Sequence, residues 1–62
     1  MMPLFIKDDR VQHDYLGAGT FIKYVEGYVF LSLIKWDKTP PFRYNMGENP
    51  AAAMTSKLRK VE

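Results

Sequence analysis

The stretch Val11-Gln12-His13-Asp14-Tyr15-Leu16-Gly17-Ala18-Gly19-Thr20 constrains the fold more than any other part of the chain. Two glycines one residue apart follow a short polar strand pattern and precede a long run of β-branched and aromatic residues. Glycine enters a sharp reversal without the Cβ penalty other residues meet. Such a corner starts many small, strongly bent β-barrels. The expected class is therefore all-β.

The rest of the chain supports this class. Asp9 to His13 predicts a first strand with Val11 inward, and Asp14 to Gly19 the turn. Thr20 to Val25 has strand composition. Glu26-Gly27 is a two-residue hairpin signal in which Gly27 supplies the positive φ. Tyr28 to Trp36 reads as a third strand that does not alternate cleanly, a pattern of central strands covered on both faces. Asp37-Lys38-Thr39-Pro40-Pro41 ends it, because proline donates no ladder hydrogen bond. Phe42 to Pro50 reads as an extended loop or broken strand. Pro50 to Met54 is either one helical turn or a short edge segment. Lys57 to Val61 alternates basic and apolar residues as a closing strand does, with Leu58 inward. Residues 1–8 form an N-terminal arm that packs on the barrel or pairs with another chain. Residues 9–62 form the barrel, a single domain.

Composition narrows the function classes. A chain of 62 residues buries only ~60% of the surface its unfolded form exposes, so it needs an efficient core or a partner. With no cysteine and one histidine, disulfides and thiolate metal sites are excluded, and no carboxylate cluster suggests another metal site. Nine aromatic residues supply large buried area. The formal charge of +2 is opposite to that of an acidic DNA mimic and slightly favours anionic partners. The longest apolar stretch, Tyr28 to Ile34, is far shorter than the ~20 residues of a membrane-spanning helix. The apolar Met1 to Ile6 is too short for a secretory core. A cytoplasmic location is the expectation.

The pattern Val11-x-His13-x-x-Leu16-Gly17-x-Gly19-Thr20, the hairpin, the apolar strand ending in Trp36-Asp37 and the terminal Leu58-x-Lys60-Val61 together resemble a five-stranded SH3-like, Tudor-type barrel. The likeness is to the C-terminal module of UvrD/PcrA-type helicases and, more loosely, to the RNA-polymerase-interacting domain of CarD-type regulators. It covers Asp9 to Trp36 and, loosely, the last residues. The resemblance implies docking onto RNA polymerase or another nucleic-acid machine, without catalysis. The chain departs from that pattern in standing alone and in the long insert from Thr39 to Met54. In standing alone it also resembles small phage proteins.

Candidate sites follow from residue chemistry. His13 in the turn is either a pH-sensitive ligand or a residue whose hydrogen bond holds the turn, and the second reading is favoured. Gly17 and Gly19 lack the Lys-Ser/Thr and following helix of a phosphate cradle, so their role is conformational. Asp8, Asp9, Asp14 and Asp37 have no nucleophile or metal beside them for acid–base chemistry; Asp37 is expected to accept backbone N–H groups of the next turn. No catalytic residue, metal ligand or cofactor is assigned. Basic residues interleave with aromatics at Lys23-Tyr24, Lys35-Trp36, Lys38 and Phe42-Arg43-Tyr44, as single-strand binders and cation cages do. The competing reading puts Trp36, Tyr24 and Phe42 in the core. The expected binding surface comprises Lys35, Trp36, Lys38, Arg43 and Tyr44 beside Pro40-Pro41. Lys57 and Arg59, sharing one face of the closing strand beside Lys60, form a second basic patch or a charged edge that deters aggregation. The alternative functions are a homo-oligomeric adaptor, joined through Leu4, Phe5 and Ile6 or the two-sided third strand, and an inhibitor of a host protein.

Overall fold

The computed structural model describes residues 5–61. Five antiparallel strands form one sheet: β1 Arg10–His13, β2 Gly17–Val25, β3 Tyr28–Trp36, β4 Ala51–Met54 and β5 Leu58–Val61. Their order is β4-β3-β2-β1-β5. The sheet is open, with β4 and β5 as its edges, and a 3-10 turn at Thr55–Lys57 carries the chain from one edge to the other.

Both glycines of the first corner are used, for different reasons. Gly17 has φ +82° and faces open space, so only its backbone conformation asks for glycine. Gly19 lies inside β2, where a Cβ would stand 2.5 Å from Ile34 Cγ2 and 2.9 Å from the Lys35 carbonyl oxygen. The expected turn thus ends earlier, at Leu16, and Gly19 serves close approach to β3. β2 and β3 are joined at Glu26-Gly27, as the hairpin signal predicts.

The β2–β3 pairing shifts register between Phe21 and Lys23. Before the shift Phe21 stands opposite Ile34, and both are buried; after it Lys23 stands opposite Leu33 and is exposed. The extra residue, Ile22, sends two side chains that strand alternation would place together to opposite faces. It also bends the strand.

One core results, built from Phe5, Val11, Phe21, Ile34, Trp36, Ala51, Ala53 and Leu58. Every strand contributes to it, with Leu58 inward as expected. Phe5 belongs to it through the arm. Its ring lies 5.6 Å from that of Phe21, its N–H donates to the Tyr24 hydroxyl at 3.0 Å, and the Asp8 and Asp9 backbones bond Phe21 at 2.9 and 2.8 Å. Burying such a side chain stabilises by about 1.5–3 kcal/mol. Of the two expectations for the arm, packing on its own chain is the one observed for Phe5. The oligomer-contact assignment of Phe5 is therefore corrected: only 4% of it remains accessible. Ile6 is exposed, and Leu4 lies outside the described residues.

The only buried polar side chains among the described residues are Ser32 and Thr55. Their hydroxyl oxygens are 2.6 Å apart, and the Thr55 hydroxyl donates to the Val29 carbonyl at 2.9 Å. With its one proton so used, Thr55 accepts from Ser32. The pair fastens the 3-10 turn to β3.

Candidate binding surface

Asp37 to Pro50 forms the long connection between β3 and β4, and it is pinned at both ends. Asn49 does this at the exit. Its Oδ1 accepts from the Trp36 N–H and its Nδ2 donates to the Trp36 carbonyl, both at 2.9 Å. The side-chain amide thus continues the β3–β4 ladder two residues past the Ile34–Ala51 pair. At the entrance Arg10 grips Asp37 with two nitrogens, at 3.0 and 2.5 Å. This corrects the expectation that Asp37 caps the next turn. The guanidinium holds the Asp37 carboxyl below its ordinary range, and the hydrogen bond from Arg10 is the larger cause.

Between these pins the chain turns tightly. Tyr44 N–H donates to the Pro41 carbonyl at 2.8 Å, and Asn45, Met46 and Gly47 make a tight left-handed turn with φ 46°, 57° and 72°. The Tyr44 hydroxyl donates to the Ala52 carbonyl, which Asn45 Nδ2 also approaches at 3.5 Å. Burial raises the Tyr44 pKa. The loop therefore covers part of the β4 edge, one way sheets protect an exposed ladder.

Two residues assigned to the binding surface are structural. Trp36 is 1% accessible and fills the core, its ring 5.9 Å from His13 in a perpendicular arrangement. Even numbers from Ser32 to Trp36 face inward on β3, so Trp36 shares the parity of Ile34. Its Nε1 has no acceptor among the described residues. Tyr44 is half-buried with its hydroxyl committed. Lys35, Lys38 and Arg43 are exposed, as the binding assignment requires. The exposed aromatic of the same loop is Phe42, 75% accessible and adjacent to Arg43 in the chain, which the core reading places inside. Two prolines directly before it carry the chain off the sheet.

The second basic patch is divided. Lys57 ends the 3-10 turn and not the closing strand, so it and Arg59 do not share a strand face as expected. A 3-10 turn has three residues per turn and lacks two-residue alternation. Arg59 donates to Asp14 at 2.8 Å, and Lys60 lies 3.7 Å from Asp9. His13 Nδ1 accepts the N–H groups of Tyr15 and Leu16 at 3.0 and 3.2 Å, which is the turn-holding role. Burial, aided by the Lys57 charge and opposed by Asp14, lowers its pKa from 6.5.

Among the described residues no group of three His, Cys, Asp or Glu could hold a metal ion, and no helix is long and apolar enough to cross a membrane. No family model matches the chain, and no curated protein and no solved structure matches it.

Proposed function

We propose that this chain is a non-enzymatic, SH3-like binding module that docks onto a nucleic-acid machine such as RNA polymerase, with nucleic acid itself as a second ligand class. The SH3-like reading is supported by five antiparallel strands around one core, with the last strand returning beside the first. A single observation carries the function. Lys38 and Arg43 are exposed on a loop that is held at both ends and also carries exposed Phe42, Lys35 is exposed near the end of β3 that leads into it, and none of the three cations has an ion-pair partner among the described residues. Arg10, Arg59 and Lys60 are instead each neutralised by a carboxylate of the same chain. Free cations beside an aromatic face suit phosphates with stacked bases, or an acidic surface with an apolar centre.

The test is a salt titration against single-stranded DNA, RNA and purified RNA polymerase. Three phosphate contacts give a log–log salt slope of about −2 on single strands. Lys38→Glu with Arg43→Glu flattens that slope to about −0.7, or abolishes polymerase capture, while Arg59→Glu does neither. No binding to any of the three at low salt would sink the proposal.

A further inference from the structure

The side of the sheet opposite the core carries a second surface. Directly paired residues share a face, and Ser32, Ile34, Ala51 and Ala53 are buried on the inner one. Leu31 and Leu33 of β3 therefore stand on the outer face with their partners Met54 and Ala52 of β4. Val29 extends this row by one alternation. Val29 is 69% accessible and Met54 52%, with Leu31, Leu33 and Ala52 half-buried. The sequence pattern predicts cover on both faces of β3, and this is the face on which Val29 and Met54 remain exposed.

The charges around the patch select its occupant. Lys23 stands opposite Leu33, and Lys35 follows Leu33 by two residues; both are exposed and neither has an ion-pair partner among the described residues. Further along the same face, Asp37 is held by Arg10 and Asp14 by Arg59. A second copy docked through this patch would add its own Lys23 and Lys35 to the positive charge of the interface. A strand added at the neighbouring β4 edge would meet an Ala52 carbonyl already taken by Tyr44 and Asn45. What fits is an apolar stripe flanked by carboxylates, laid on the face and not the edge. From Val29 to Leu33 the patch runs about 13 Å, the length of a little over two helical turns.

We infer that the outer face of β3 and β4 docks a short acidic amphipathic helix of a partner protein. This site shares only Lys35 with the loop surface proposed above, and Lys38→Glu with Arg43→Glu is expected to leave it intact. The probe is a synthetic amphipathic peptide of about four helical turns with leucines on one side and glutamates flanking them. A control carries lysine for each glutamate. NMR shift mapping on the isotope-labelled chain is expected to place the acidic peptide on Val29, Leu31, Leu33 and Met54. The control binds at least about tenfold more weakly, and raised salt weakens the acidic peptide. Val29→Glu and Lys23→Glu change exposed side chains, so they keep the parental melting temperature while each weakens the peptide about tenfold. Equal binding of both peptides, no binding, or unaltered affinity in both variants overturns the inference. So does a dimer in sedimentation that Val29→Glu dissociates, which would make a second copy the occupant.

Discussion

Gly19 and His13 illustrate how single residues set the first corner. A methyl group at Gly19 would collide with Ile34, with the Lys35 backbone and, at 3.1 Å, with the Trp36 ring. Backbone cannot move aside as a side-chain end can. Gly19→Ala is therefore expected to destabilise by about 1–3 kcal/mol through overpacking. Gly17→Ala should lose about 1–2 kcal/mol from its left-handed backbone instead. Urea midpoints measure both, and a neutral Gly19→Ala would refute the close approach. At His13 the lone pair of Nδ1 receives two backbone N–H groups, which only the neutral ring can do. A folded pKa below 6.5 means the unfolded chain binds the proton more readily. Stability is full above the unfolded value and falls as pH drops through 6.5 toward the folded one. Comparing urea midpoints at about pH 7.5 and about pH 5.5 should show this loss, reduced in His13→Asn. A parental slope unchanged by the substitution would place the titration elsewhere.

At the scale of elements, the third strand and the edge strand behave differently as objects of prediction. The bounds Tyr28–Trp36 were legible because an unbroken β-type run lies between Gly27 and a double proline. The fate of Ala51–Ala53 was not. Alanine favours helix locally, but pairing with β3 outweighs a propensity of a few tenths of a kcal/mol per residue. The parity of Phe21 and Lys23 was equally hidden, because the bulge at Ile22 is set by pairing with a strand a dozen residues away. The Ser32–Thr55 pair carries the prediction at this scale. Thr55→Val leaves both the Ser32 hydroxyl and the Val29 carbonyl without their partner, at about 1–3 kcal/mol for each group that remains buried. Ser32→Ala removes one hydroxyl while Thr55 keeps its bond to Val29, losing about 0.5–1.5 kcal/mol. Chemical denaturation that ranked Ser32→Ala as the more damaging change would contradict the proton assignment.

Taken whole, the molecule completes its core with a residue from outside the five strands. A domain of 62 residues has a net stability of only about 3–9 kcal/mol at typical per-residue values. Phe5 comes from outside the five strands yet fills the core against Phe21 and Tyr24. Phe5→Ala is expected to remove about 3–5 kcal/mol, a large share of that total. Near-UV circular dichroism during a thermal melt should show a pronounced fall in midpoint. A midpoint within a few degrees of the parent would detach the arm from the core. The ion pairs matter less to stability, because Arg10–Asp37 and Arg59–Asp14 are both well exposed to solvent and screened by salt. Their larger effect is on the charge map, since among the described residues they leave Lys23, Lys35, Lys38 and Arg43 as cations without an ion-pair partner on the outer face and the loop.

Local chemistry already specified the all-β class, the Glu26-Gly27 hairpin, the bounds of β3 and the inward Leu58. Each depends on backbone preference or alternation within a few residues. The long-range placements came only with the folded chain. The second corner glycine is a contact with Ile34, Lys35 and Trp36. Trp36 is core because it shares the parity of Ile34. Phe42, which looked as much like core as Trp36 did, is carried outward by the loop after Pro40-Pro41. The corner at Gly17-Ala18-Gly19 shows both kinds in three residues: the positive φ at Gly17 is a local backbone requirement where β2 begins, whereas the missing Cβ at Gly19 answers to a strand that reaches it only after folding.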